Sequence, residues 1–232
     1  MEERIEPKVG VVIVAGGSGL RVGGSTPKQF QFLGQLPILG HTIGAFASAL
    51  PRAELVVVLA EDRVDYWRNL SSRFDIAKHK VVVGGSERFY SVLAGINALG
   101  EDVDIIAVQD GARPLGSEAM IRRCVECAIS NGSAIPVTEV SDSLREVSDD
   151  GVGSRALIRS KIRAVQTPQI FDAVILRRAY RQSYDSAFTD DASVVEQLGE
   201  RVYLCEGERR NIKITTREDI ALAQQIIEGD GE

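Results

Sequence analysis

Basic residues are outnumbered, cysteine and histidine are scarce, and no long apolar run occurs in this 232-residue chain. Lysine and arginine total 27 against 33 acidic residues, a formal net charge of −6. That balance argues against a general nucleic-acid coat or an anionic-membrane binder, both of which need a basic excess. A local basic pocket is still compatible with it. The longest apolar run, residues 9–15, is far too short to cross a bilayer. Residues 1–8 are charged and hold no signal-peptide core. Three cysteines, Cys124, Cys127 and Cys205, cannot all pair, so a disulfide scaffold is disfavoured and a reducing compartment is expected. These absences predict a cytoplasmic protein with no nucleic-acid and no membrane partner.

What is present describes an ordinary globular chain. The hydrophobic share is 44% and the charged share 26%, which rules out disorder along the whole length. A chain of this size buries a sufficient core without disulfides or metals, and one domain over residues 1–232 is expected. Short β-branched runs alternate with longer helical patterns. Strands are predicted at 9–15, 55–60, 80–83, 103–108 and 133–137. Helices are predicted at 37–50, 62–74 and 86–99, the last capped by Ser86, with a further helix opening at Ser117. This repetition implies an α/β fold: a Rossmann-like, mostly parallel sheet with helices on both faces.

Residues 138–163 break the pattern. They are polar, carry the turn signal Asp149-Asp150-Gly151, and have flanks able to pair, so a protruding β-arm is predicted. The chain then resumes with a strand at 164–166, a helix at 172–184, a short helix at 191–197, strands near Val202 and Ile212, and a last helix at 217–227. Ligands of such sheets sit beyond the carboxyl ends of the strands. The loops after Ala15, Val83 and Val108 are therefore the places to look for chemistry.

The loop Ala15-Gly16-Gly17-Ser18-Gly19-Leu20-Arg21 follows the first strand directly. Glycines allow a sharp turn and bring backbone N–H groups close to a phosphate. Arg21 and Lys28 supply two cations for a polyphosphate. A Walker A loop would need Gly-Lys-Ser/Thr, and here Gly24-Ser25 has no lysine. A dinucleotide fingerprint needs a third glycine where Val22 stands, and a ribose-binding acid about 20 residues on. The next strand instead ends near Glu61.

Ala15-Gly-Gly-x-Gly-x-Arg21 followed by Pro27-Lys28-Gln29 resembles the nucleotide loop of the cytidylyltransferases, and most of all the 2-C-methyl-D-erythritol 4-phosphate cytidylyltransferase family of the non-mevalonate isoprenoid pathway. Further motifs carry the resemblance in order: Gly84-Gly85-Ser86-Glu87-Arg88-x-x-Ser91-Val92, Asp110-Gly111-Ala112-Arg113-Pro114, Thr167-Pro168-Gln169, Thr189-Asp190-Asp191-Ala192-Ser193 and Asn211-Ile212-Lys213-Ile214-Thr215. Together they span nearly the whole chain. Gln109 and Gly111 depart from the family's usual His and Ala, and the arm has Ser and Arg where the family often has Thr and Lys.

The resemblance implies that CTP and a polyol phosphate react to give a CDP-polyol and pyrophosphate. A phosphate oxygen is already an anion, so positioning and electrostatics must carry most of the rate. By the same resemblance, Arg21, Lys28, Arg159 and Lys213 are the catalytic residues. Ala15, Gly16, Gly17, Gly19, Gly84, Gly85, Arg88, Ser91 and Asp110 bind the nucleotide. Asp110, Arg113, Arg159, Thr189 and Lys213 bind the acceptor, and Asp110 helps hold Mg²⁺. Arg159 aligns with an arginine that reaches across a dimer interface, so the arm implies a homodimer with composite sites. Ribitol 5-phosphate is the rival acceptor. A dinucleotide-dependent oxidoreductase and a non-catalytic nucleotide sensor are the rivals from other classes. The Cys124-x-x-Cys127 spacing falls within a helical pattern with no second Cys or His pair in sequence, and reads as packing; His41 reads as structural.

Overall fold

The structure, a computed structural model, describes residues 7–17 and 26–229. It opens with β1 (Val9–Val14), then a minimal hairpin of β2 (Phe32–Leu33) and β3 (Leu36–Pro37) that runs into α1 (Ile38–Ala49). There follow β4 (Glu54–Leu59), α2 (Val64–Ser71), β5 (Lys80–Val83), α3 (Arg88–Ala98), β6 (Ile105–Asp110), α4 (Glu118–Asn131) and β7 (Ser133–Glu139). The predicted arm holds β8 (Arg145–Val147) and β9 (Ser154–Ala156), which pair with each other and not with the main sheet. The chain returns through β10 (Arg163–Val165), β11 (Gln169–Asp172), α5 (Ala173–Ala179), α6 (Asp191–Glu196), β12 (Leu204–Glu206) and α7 (Arg217–Gly229).

The main sheet has the order β10-β7-β11-β6-β1-β4-β5, with β12 also beside β7. β5, β4, β1 and β6 run parallel. β11 lies antiparallel between β6 and β7, and β10 is antiparallel to β7. The α/β class with a mostly parallel sheet and a protruding hairpin is therefore as expected.

The continuous apolar run in β1 follows from burial on both faces. Val11 and Ile13 join one core with Ile43 and Phe46 of α1, Trp67 of α2 and Cys124 of α4. Val12, between them, points the other way into a second core with Val92 and Ile96 of α3 and Leu176 of α5. Trp67 is fully buried, stacks on Phe30 at 5.8 Å between ring centroids, and its indole N–H donates to His79 at 3.0 Å. Ser117 caps α4 by accepting from the Met120 N–H at 3.0 Å, and Gly132 ends that helix with φ of 84°.

Several predicted boundaries need correction. Ser86 does not cap α3; its N-cap is Glu87, with no side-chain cap bond. α2 is shorter than predicted because a single 3₁₀ turn, Glu61–Arg63, takes the first residues. α5 stops at Ala179; beyond its end Tyr184 and Phe188 pack on Phe89. No strand forms at Ile212: residues 211–215 are a loop, tied to the segment after β6 by the Ile214 N–H on the Ala112 carbonyl at 2.9 Å. β11 has no counterpart among the strands that the sequence pattern predicts. It is four residues long and directly follows Pro168, yet Ile170 and Phe171 are fully buried at the middle of the sheet.

α3 lies so close to the sheet that Gly95 has no room for a side chain. A Cβ there would sit 2.3 Å from Val12 Cγ1 and 3.0 Å from Val58 Cγ2. Gly95→Ala is expected to destabilise the fold by about 1–3 kcal/mol through overpacking, despite alanine's better helix propensity. Urea denaturation should show a lower midpoint with an unchanged slope; an unchanged midpoint would mean that α3 sits more loosely than described.

Candidate active site

A cavity of about 540 Å³ opens at the carboxyl ends of the parallel strands. Its wall is built from Val14, Ala15, Gly16 and Gly17 after β1, Lys28 and Gln29, the segment 85–88 with Ser91 at the start of α3, residues 110–112 after β6, and Lys213 and Thr215. Three loops far apart in sequence meet there because β5, β1 and β6 end on the same side of the sheet.

The glycine loop is held by side chains as well as by the sheet. The Ala15 N–H donates to the Val58 carbonyl at 2.9 Å, continuing the β1–β4 ladder. Gln29, almost fully buried, donates from Nε2 to the carbonyls of Ala15 at 2.7 Å and Gly17 at 3.2 Å. That clamp ties two carbonyls to one side chain and fixes the backbone of Ala15 to Gly17. Gly84 is not on the wall; a Cβ there would sit 2.6 Å from Ser91 Oγ, so its hydrogen makes room for the serine that is.

Asp110 ends β6 and is the electrostatic centre of the site. Lys213 Nζ lies 2.8 Å from its Oδ2, Arg113 Nε 3.6 Å from the same oxygen, and Arg88 Nη2 3.9 Å from Oδ1. Its backbone N–H donates to Thr167 Oγ1 at 3.1 Å. Burial alone would raise its pKa, but the charges of Lys213 and Arg88 outweigh that and hold the carboxyl below its ordinary range.

Two of the three surrounding cations are themselves anchored. Arg88 makes a bidentate pair with fully buried Asp191, at 2.9 and 2.6 Å, and Tyr180 donates its hydroxyl to Asp191 Oδ1 at 2.6 Å. Burial disfavours the guanidinium, but the Asp191 carboxylate more than compensates, so Arg88 titrates above its ordinary value. Burial and the same carboxylate push Tyr180 up. Arg113 donates to the Asn211 carbonyl at 2.8 Å, two residues from Lys213; burial lowers its pKa, only partly offset by Asp110. Asn211 in turn donates to the Thr167 carbonyl at 2.9 Å.

Of the residues singled out from sequence, Ala15, Gly16, Gly17, Lys28, Gly85, Arg88, Ser91, Asp110 and Lys213 line this one cavity. Gly84 and Arg113 lie directly behind it. Thr189 does not line it: the Thr189 N–H donates to Ser193 Oγ at 3.1 Å beside the capping box that Asp190 and Ser193 form on α6. Arg159 is on the arm, donates to the Ser141 carbonyl at 2.7 Å, and borders a separate cavity with Arg163 and Arg209. Gly19 and Arg21 lie outside the described residues. Gln29, Asp191 and Thr215 were not assigned roles from sequence. Gln29 and Asp191 belong to the Pro27-Lys28-Gln29 and Thr189–Ser193 motifs, but nothing in residue type or spacing shows that one clamps the glycine loop or that the other reaches Arg88.

A glycine-lined, cation-rich cavity at the carboxyl ends of parallel strands is built for phosphorylated ligands, and this fold and site are those of a nucleotidyltransferase. The family model described as IspD, 2-C-methyl-D-erythritol 4-phosphate cytidylyltransferase, matches residues 9–229. A relative of that name from Bacteroides fragilis is 43% identical over 218 residues, 93% of this chain and 98% of its own. Another from Porphyromonas gingivalis is 42% identical over 225 residues, covering 96% of this chain and 99% of its own. The crystal structure of 4-diphosphocytidyl-2C-methyl-D-erythritol synthase from Anaerococcus prevotii superposes with a TM-score of 0.81 at 26% identity, covering 96% and 99% of the two chains. The chain belongs to the 2-C-methyl-D-erythritol 4-phosphate cytidylyltransferase family.

The lowered pKa of Asp110 gives a pH test. Its contribution is fully present above the ordinary aspartate value of about 3.9, and is lost as pH falls through the lower folded value. Asp110→Asn should therefore be less stable than the parent at neutral pH, where Lys213 and Arg113 lose their counter-charge and Arg88 keeps only Asp191. The gap should narrow below about pH 4, because protonation of the parent's carboxyl removes the same interaction. Urea denaturation across this range measures it; a gap independent of pH would rule out an ionised Asp110.

Proposed function

We propose that the cavity at the ends of β1, β5 and β6 is where this chain carries out the reaction of its family, transfer of the cytidylyl group of CTP to 2-C-methyl-D-erythritol 4-phosphate with release of pyrophosphate. The reaction belongs to isoprenoid precursor biosynthesis. The observation that carries the placement is the meeting of Lys28, Asp110 and Lys213 on one wall with the Gly16–Gly17 backbone.

The acceptor's phosphate oxygen attacks the α-phosphorus of CTP, and pyrophosphate leaves in line. No general base is needed. The barrier comes from bringing two anions together and from charge on the equatorial oxygens. In this reading Gly16 and Gly17 lie against the nucleotide, and Lys28 with Arg21 neutralises the charge that grows as pyrophosphate departs. Gly85 and Ser91 read the cytosine edge, where hydrogen bonds reject a purine by size and uracil by mismatched donors. Arg88, fixed by Asp191, keeps one side of Asp110 compensated.

Lys213 faces the acceptor phosphate, and Arg113 supports it by holding the Asn211 carbonyl. Thr189 is assigned to the acceptor side from its motif. A divalent cation such as Mg²⁺ fits as a companion of the triphosphate. Asp110 offers one hard carboxylate at the wall, and among the described residues no group of three His, Cys, Asp or Glu side chains could hold a metal ion by itself. When bound, such a cation supplies further neutralisation of the phosphate oxygens.

A homodimer is part of the proposal. Arg159 is outside the cavity of its own chain, and Val147, Val152 and Ile158 on the arm are exposed apolar side chains, the pattern of a surface that meets a second copy. A cytoplasmic setting is proposed with it, since all three cysteines are free. Among the described residues no helix is long and apolar enough to cross a membrane.

Pyrophosphate release measured with Mg²⁺, each of the four nucleoside triphosphates, and methylerythritol, ribitol and other polyol phosphates tests the reading. CTP with methylerythritol phosphate should far exceed every other pair; a preference for ribitol phosphate would reassign the acceptor. Lys28→Ala is expected to lower kcat by at least about a hundredfold while the dissociation constant for CTP changes far less, since its charge matters most as the reaction proceeds. Equal losses in both would remove Lys28 from the transition state. Arg159→Ala should be inactive alone, yet regain activity when mixed with Arg21→Ala, because a hybrid dimer carries one intact site. No recovery after verified subunit exchange would count against a shared site.

A further inference from the structure

The Cys124-x-x-Cys127 pair, which reads as helix packing in sequence, is joined in space by the third cysteine. Cys205, on β12, comes 81 positions after Cys124, and its Sγ lies 3.2 Å from Cys124 Sγ. Cys127, one turn further along α4, is near enough to Cys205 that its own pKa, already raised by burial, is raised further and that of Cys205 is lowered. All three are free thiols, and among the described residues no group of three such ligands could hold a metal ion. We propose that Cys205 and Cys124 are an oxidisable thiol pair, a modification site separate from the nucleotide cavity, which reacts with low-molecular-weight disulfides to give a reversible intramolecular disulfide.

The three thiols are not equivalent. Cys124 is completely buried, whereas Cys205 is half-buried between exposed Leu204 and Glu206. A small disulfide can therefore reach Cys205 but not Cys124; Cys127 is half-buried too, but burial pushes its thiol up and makes it the poorer thiolate. The hydrogen bond from Cys124 lowers the pKa of Cys205, and although burial opposes this, the nearby Arg123 guanidinium adds to it. Arg123 donates to the Glu206 carbonyl at 3.0 and 3.2 Å, which places that cation beside the strand. Cys124 is pushed up by the same hydrogen bond and by burial, so it is the protonated partner.

The chemistry balances as two exchanges. The Cys205 thiolate attacks one sulfur of the small disulfide, the S–S bond breaks, and a small thiolate leaves. Cys124 then attacks Cys205 Sγ in the mixed disulfide, its proton passing to the second small thiolate as that group leaves as a thiol. Two electrons pass from the protein to the reagent, and one protein disulfide and two small thiols result. The new bond would tie β12 to α4, and β12 leads directly into the segment through Glu208, whose carboxylate accepts from the Ser117 hydroxyl at the α4 N-cap at 2.5 Å.

The test is a thiol map of the full chain. Reduced protein is incubated with oxidised glutathione near neutral pH, quenched with iodoacetamide, digested and analysed by mass spectrometry. The expected product is a peptide pair linked through Cys124 and Cys205, with Cys127 alkylated and complete reversal by dithiothreitol. Cys127→Ala should form the same link, and Cys205→Ser should form none. The parent map stands alone if the serine variant fails to fold. A stable glutathione adduct on Cys205 with Cys124 alkylated would overturn the proposal, as would a link between Cys124 and Cys127, links only between chains, or three alkylated thiols after exposure.

Discussion

Asp110 sits among three cations, and most of the site's architecture follows from that arrangement. Lys213, Arg113 and Arg88 come from three different parts of the chain, and without a carboxylate between them their positive charges would repel in a partly dry cavity. The end of β6 delivers the carboxylate, the parallel sheet fixes where that end lies, and Thr167 holds its backbone. The result is a set of cations held in place before any phosphate arrives. A site that must neutralise two phosphorylated molecules gains more from such fixed charge than from a strong base.

The same logic governs the rest of the wall. Gln29 fixes the start of the glycine loop by binding the carbonyls of Ala15 and Gly17. The Arg113 bond to the Asn211 carbonyl does for the Lys213 loop what Gln29 does for the glycine loop. In both cases a long side chain reaching across to backbone replaces regular secondary structure where a strand or helix would block access.

Much of this was legible in the sequence, for identifiable reasons. β1, β4, β5 and β6 are β-branched runs buried on both faces, and such runs read clearly. The glycine loop, Lys28, Asp110 and Lys213 announced themselves by residue type and by position after strands. β11 was hidden because four residues after a proline carry too little pattern, and its place between β6 and β7 is decided by tertiary pairing alone. The loop at Ile212 was misread as a strand because alternating Ile and polar residues look the same whether one face meets a sheet or a small separate core with Leu33 and Ile38. The role of Asp191 and the approach of Cys205 to Cys124 were illegible, since both depend on contacts between segments more than 80 residues apart.

The pairing of Arg88 with Asp191 also constrains how the molecule is made. The guanidinium is supplied by the first half of the chain and its buried counter-ion by a helix more than 100 residues later. Until α6 docks, Arg88 lacks its bidentate partner and has only the more distant Asp110 carboxylate at 3.9 Å. The nucleotide wall is thereby completed by the carboxyl-terminal third of the chain, which also supplies Lys213.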